Sequence, residues 1–308
     1  MVPAPAALDA LPVVLLPVGP DDAALDATLA ALDRATPAGT RVWLADDAAA
    51  GPRGLAIIDR WLSTTPLCAD YTRRQRAVGA VAHLDEALAA CGDADVAVLA
   101  SDARPGPGWL QQLAACLSRD PSIATATPWS NAGEAAAWPR LGEVAPVPSG
   151  QDLATLARAA ATLPPRHPEL PAAIAHGVLL RGSARRRVGG LDDASYGSWA
   201  AALVDLSMRL AGQGWRNVLC ETAYVACPDE GRPADGDLDV LAARWPAWHP
   251  RLARFLMDDP LRATRDGLAI RLAAQADGRP QADLFDATME DAADGGAAAV
   301  GRATGTAA

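Results

Sequence analysis

The chain has 308 residues, long enough to bury a sizeable core, and half of its residues are hydrophobic. All 27 of its cations are Arg, set against 37 acids for a net charge of −10, which excludes a polyanion partner such as nucleic acid because that affinity needs clustered cations. Five scattered cysteines without CxxC spacing exclude a disulfide framework and a structural zinc site.

Short apolar runs alternate with segments of helical period. The spacing predicts a strand at Val13 to Val18, then a helix at Ala23 to Arg34 with Leu25, Leu29 and Leu32 on one face. A strand at Arg41 to Ala45 follows, then helices at Leu55 to Leu62 and Val81 to Ala90. Next come a strand at Val96 to Ala100, a helix at Trp109 to Leu117 and a strand at Ile123 to Thr127. This alternation predicts a mostly parallel sheet covered by helices on both faces, an α/β class. From Trp129 to Pro148 the text is irregular and reads as loop, before a helix at Leu153 to Ala161 and a Pro-rich stretch. A second block predicts a strand at Gly177 to Leu180, a helix from Trp199 to Leu210 and a strand at Asn217 to Val225. Leu238 to Ala274 reads as helix. The expected organisation is a domain over residues 1–236, a helical extension over 237–275 packed on it, and an Ala/Gly-rich disordered tail over 276–308. No apolar run approaches the ~20 residues that span a bilayer, and no leader pattern opens the chain. The expected location is therefore the cytoplasm.

In open parallel sheets, ligands bind where strands end at their carboxyl edge. Three predicted strand ends carry candidates: Pro17 and Val18 on the first, Asp46 and Asp47 on the second, and Ser101-Asp102 after the strand that ends at Ala100. Carboxylates there suit a site that hydrogen-bonds a nucleoside and holds a divalent cation against a diphosphate. They equally suit helix caps.

The ordered set of segments resembles glycosyltransferase family 2, the inverting GT-A enzymes, and within it the bacterial cell-surface branch. The matching pieces are VVLLPVG, VWLADDAA, DVAVLASDARPGPGWLQQL, GVLLRGSARRRVGGLDDASYG, VDLSMRLAGQGWRNVLCETAYV and WHPRLARFLMDDPLRATRDGLAIRL, spanning Val13 to Leu272. The resemblance implies a GT-A-like, Rossmann-related, mostly parallel sheet flanked by helices with a C-terminal helical extension. It implies transfer of a sugar from a nucleoside-diphosphate sugar to a cell-surface glycan or lipid-linked acceptor, with Mn2+ or Mg2+ as cofactor. Carried over by position, Asp46 and Asp47 contact base and ribose, Pro17 and Val18 wall the nucleoside, and Gly79 in AVGAVAHLDEA brings backbone close to the nucleotide. Asp102 takes the metal, and Gly177 lies beside the acceptor. A peripheral contact with the inner membrane face and a partner glycosyltransferase belong to the same expectation.

The chain also departs from that pattern. Ala100 stands where a second polar residue precedes the metal-binding Asp, Ala202 and Leu203 stand where the family has its acidic general base, and Cys227 replaces a late metal-binding His. Asp205, the later Asp of the base motif, is one turn from Arg209 and suits a structural ion pair. It remains a candidate base together with Asp192 and Asp193. The alternative function is a catalytically impaired homologue that binds nucleotide sugar or scaffolds an active transferase. The four His share no metal or nucleophile spacing and read as surface or core residues. Arg73, Arg74 and Arg76 read as either a solvated face or a diphosphate contact, and Arg185 to Arg187 as either a solvated face or a contact with anionic lipid. A dinucleotide-binding enzyme is disfavoured, since no GxGxxG follows the first strand.

Overall fold

The computed structural model describes residues 11–229, 231 and 233–277. The expected disordered tail, apart from its first two positions, lies outside the described residues.

The chain begins β1 (Val13–Pro17), α1 (Asp22–Ala35), β2 (Arg41–Asp46), α2 (Pro52–Thr64), β3 (Cys68–Arg73), α3 (Ala80–Ala90) and β4 (Val96–Leu99). These four strands lie in the order β3-β2-β1-β4 with every pairing parallel. The central strands are apolar on both faces because helices cover both. Alternate residues divide between the layers: Val14, Leu16, Ala97 and Leu99 enter the core on one face, and Leu15, Val96 and Val98 the core on the other. Asp21 caps α1 by accepting from the amides of Ala23 and Ala24 at 2.9 and 3.0 Å.

The two-residue β5 (Arg104–Pro105), α4 (Trp109–Arg119) and β6 (Ile123–Trp129) come next, then α5 (Gly150–Ala161), β7 (Gly177–Leu180), α6 (Gly182–Val188), α7 (Trp199–Gly212) and β8 (Arg216–Ala226). The sheet continues from β4 as β7-β6-β8-β5. Strand β7 runs antiparallel to both neighbours, whereas β6 and β8 are parallel to each other. Reversal of one strand brings its amino end to the edge where β4 and β6 have their carboxyl ends.

Helices α8 (Asp237–Arg244), α9 (Trp248–Asp258) and α10 (Arg262–Asp277) complete the described chain. Leu241 of α8 is buried in the core under α7, while Leu268 of α10 packs with Leu153 and Leu156 of α5. Strands β3 and β5 and helix α6 escaped the sequence reading, β5 because it is only two residues long. Strand β3 is largely exposed and pairs only with β2, so its residues show no apolar run. Helix α6 carries Arg185, Arg186 and Arg187 in seven residues. The stretch after β6, read as loop, is irregular as expected but not peripheral: Ser130, Asn131, Ala132 and Ala135 to Ala137 are all buried.

Candidate active site

Because β2, β1 and β4 are adjacent and parallel, Asp46, Pro17 and the Ser101-Asp102 turn share one edge of the sheet. Their strand ends are also in contact. A Cβ on Gly19 would fall 2.6 Å from the Ser101 hydroxyl oxygen, so only glycine lets the first loop lie against that turn. The Thr28 hydroxyl of α1 donates to the Ser101 carbonyl at 3.2 Å and braces it further.

Asp46 is wholly buried, and its oxygens are engaged within the protein. Oδ2 accepts from the Tyr71 hydroxyl at 2.7 Å and the Arg73 guanidinium at 2.9 Å, and Oδ1 from the amide of Ala49 at 2.7 Å. Burial, then the Asp46 hydrogen bond, pushes the Tyr71 pKa up. The carboxylate thus holds the bend that passes through Ala48 at φ 60°. Asp47 is half-buried and accepts from the amides of Val78 and Gly79 at 2.8 and 2.9 Å. Gly79, at φ 106°, occupies backbone space that side chains disfavour. Asp46, Asp47 and Gly79 therefore form one hydrogen-bonded collar around the ends of β2 and β3. Arg73 is committed to this collar, and Arg74 pairs with Glu86 and His83.

A cleft of about 250 Å³ opens at the same edge beside Asp102. Its walls include Ala100 and Ser101 after β4, Ala175 and His176 before β7, Ser198 to Ala200 at the start of α7, and Cys227 and Asp229 after β8. The Cys227 thiol lies 3.4 Å from Asp102 Oδ1 and donates to it. Burial raises the Asp102 pKa, and the thiol's hydrogen bond opposes the rise. Burial and the adjacent carboxylate push the Cys227 pKa up, which favours the neutral thiol over the thiolate. Asn131 fixes the main chain here, donating to the Cys227 carbonyl at 2.8 Å and accepting from its amide at 2.9 Å.

His176 is almost completely buried. Its Nε2 lies 3.0 Å from the Pro128 carbonyl, which can only accept, so Nε2 carries the proton and Nδ1 is bare. Nδ1 has no partner among the described residues. Burial lowers the His176 pKa to about 4. The start of α7 is held by Asp237, which accepts from the Gly197 and Ser198 amides at 2.9 and 3.1 Å and from the Ser198 hydroxyl. Trp199 Nε1 donates to the Ala175 carbonyl at 3.3 Å, tying α7 to the entry of β7.

The candidate bases lie elsewhere. Leu203 and Ala202 are fully buried in the core between α7 and the sheet, so neither faces the cleft. Asp205 is equally buried. It pairs with Arg209 at 2.8 Å and accepts from Trp245 Nε1 at 2.8 Å, which makes it a structural node and corrects its reading as a candidate catalytic residue. Asp192 pairs with Arg244 at 2.6 Å, and neither it nor Asp193 lines the cleft. Gly177 lies just inside β7, paired with Leu99, and its neighbour His176 is the residue that reaches the cleft wall. His176 and Asp229 were missed as cleft residues. The only signal for the first was its place immediately before the apolar run GVLL.

A hard cation prefers several oxygen ligands. No group of three His, Cys, Asp or Glu gathers at one point among the described residues, and a neutral thiol is a poor ligand for Mg2+ or Mn2+. One carboxylate does suit a cation held chiefly by substrate phosphates.

The strand order, the reversed β7 and the strand-end cleft are those of the GT-A fold. The chain is similar to three solved structures that share it. The mannosyltransferase PcManGT from Pyrobaculum calidifontis, in complex with GDP-Man and Mn2+, is 15% identical over 91% of this chain and 79% of that one, at a TM-score of 0.53. GalNAc-T7 with UDP, GalNAc and Mn2+ is 13% identical over 84% of this chain at a TM-score of 0.57, and this chain spans 54% of its length. S. aureus TarS 1–349 is 12% identical over 90% of this chain and 74% of that one, at a TM-score of 0.51. No protein-family profile and no curated protein sequence matches the chain.

Proposed function

We propose that the protein transfers a sugar from a nucleoside-diphosphate sugar to a hydroxyl of a cell-surface glycan or lipid-linked acceptor. The observation that carries this reading is the position of Asp102. It is a half-buried carboxylate in a cleft at the carboxyl edge of a GT-A sheet, beside the residue that replaces the resemblance's late His. Asp102 would hold a Mn2+ or Mg2+ ion whose charge offsets that of the leaving diphosphate. Asp46 sets the shape of the nucleoside wall through its internal bonds, leaving Asp47, Pro17, Val18 and the backbone at Gly79 to meet the nucleoside. Residues 1–236 are the proposed transfer domain, and 237–275 the helical extension that anchors the start of α7 through Asp237. No helix among the described residues is long and apolar enough to cross a membrane. Cytoplasmic action, with peripheral contact at the inner membrane face, fits a lipid-linked acceptor.

A second reading is favoured by one observation. The start of α7 offers the cleft Ser198, Trp199 and Ala200 and no carboxylate, whereas an inverting transfer needs a group that takes the acceptor proton. An impaired homologue that binds nucleotide sugar, or supports a partner glycosyltransferase, follows from it. Calorimetry against UDP-, GDP-, dTDP- and CMP-sugars with and without Mn2+ tests the shared premise, and single-turnover transfer separates the two readings. No binding of any donor refutes both.

A further inference from the structure

The cleft beside Asp102 does not end at α7. It adjoins a second hollow of about 280 Å³, and the two share Ala175, Ala200 and Gly231 as walls. The two compartments differ in chemistry. The first carries Asp102, His176 and Asp229, while the second is lined largely by Ile174, Val204, Leu238, Leu241, Trp248 and Leu252, with Glu134 and His249 as its two titratable wall residues. No arginine lines the second among the described residues.

Helices α8 and α9 supply Leu238, Leu241, Trp248 and Leu252 of this wall, and two partly buried hydrogen-bonded contacts fix α8 in place. Asp237 grips the start of α7, and Trp245 Nε1 reaches Asp205. The α8 wall of the hollow is thus held in place. A lone exposed leucine needs no explanation, and Leu238 is 50% exposed. A concave apolar hollow continuous with a polar cleft is different, because small-molecule sites pair an apolar body with a few placed polar groups. Ligand sites run to roughly 300–1,000 Å³, a size these compartments reach only when occupied together.

We propose that the second compartment receives a hydrocarbon segment of the acceptor, placing its hydroxyl in the first compartment near Asp102. The acceptor is then a lipid-linked or alkyl-bearing molecule and not a purely polar glycan. This rests on the reading of the Asp102 cleft as the site of transfer.

The test is calorimetric titration with methyl, butyl, hexyl and octyl β-glucosides, kept below their micelle thresholds. Affinity should rise about fourfold per buried methylene, the equivalent of about 0.8 kcal/mol. The substitutions Leu238→Glu and Leu252→Glu should flatten that slope. Should either glutamate unfold the chain, as judged by circular dichroism, Leu238→Ser at its half-exposed position carries the same comparison. A flat slope in the unsubstituted protein, or a slope that survives in the folded variants, overturns the proposal. Donor titration with Mn2+ on the same sample keeps the two readings apart. Donor binding without a slope sinks only the hydrocarbon site, whereas a slope without donor binding sinks the transferase reading and with it the acceptor role of the hollow, leaving an alkyl-binding site alone.

Discussion

The Cys227 thiol donates to Asp102 Oδ1 at 3.4 Å, joining the end of β8 to the turn after β4. The contact sets the position that replaces the resemblance's late His beside the carboxylate proposed to hold the metal. Replacing Asp102 by Ala should therefore abolish the metal-dependent part of nucleotide-sugar affinity, as a hard cation would lose its protein oxygen. Calorimetry with and without Mn2+ reads the difference; equal affinities would leave Asp102 as a cleft wall only.

Cys227→His tests the same pair from the other side. An imidazole is a better ligand than a neutral thiol for Mn2+. The substitution should raise Mn2+-dependent donor affinity by about tenfold, roughly 1.4 kcal/mol. Unchanged Mn2+ dependence would place the cation away from this position.

Restoring a proton acceptor requires the right turn of α7. Leu203→Glu would put a carboxylate in the core, where burial without a partner strongly destabilises, and no gain in transfer is expected. Ala200 lines the cleft instead. Ala200→Glu should raise transfer by about 10²-fold, the lower end for a positioned base, if the protein lacks one. A drop in rate would show that an acceptor proton is already taken by another group and that the new side chain obstructs it.

Asp46 carries stability rather than proton transfer. Asp46→Ala removes its bonds to Tyr71 and Arg73 and those to the following bend, and should cost about 2–4 kcal/mol. Arg73 is about one-third exposed and can return to water, which keeps the loss from being larger. Urea denaturation measures it. A loss below about 0.5 kcal/mol, the range of ordinary surface changes, would contradict the collar.

Acid should expose His176. Its pKa is about 4 in the folded chain against 6.5 for the free side chain, so the unfolded state binds the proton first. Stability is unaffected above pH 6.5, falls as pH drops through that value, and levels off below about 4, with a total loss of roughly 3 kcal/mol from this residue. His176→Gln should flatten that part of the profile. A profile between pH 6.5 and 4 identical in the two proteins would refute the assignment.

The legible part of the fold was the part with continuous apolar text. VVLLP, VWLAD and DVAVL announce strands buried on both faces, and their last residues mark where a site must lie. Unreadable were the partners those residues choose. Asp46 bonds to Tyr71 and Arg73 on β3, an exposed edge strand without an apolar run, so an acid that sequence order assigns to the nucleoside is engaged inside the protein. The base position failed differently: it depended on which turn of α7 meets the cleft, and a shift from Leu203 to Ala200 exchanges a core position for the cleft wall. His176 was invisible as a site residue because its placement follows from the reversed direction of β7.

That reversal has a consequence for how the protein could change. Segments leading into the parallel strands arrive at the opposite edge of the sheet, so added residues there would lengthen the far side harmlessly. The stretch from Thr162 to His176, leading into β7, reaches the cleft with Ala175 and His176, and its Ile174 and Ala175 wall the apolar hollow. Insertions or deletions in this one approach would remodel the cleft and the adjoining hollow while leaving the collar of Asp46 and Asp47 untouched, so the two regions can drift independently.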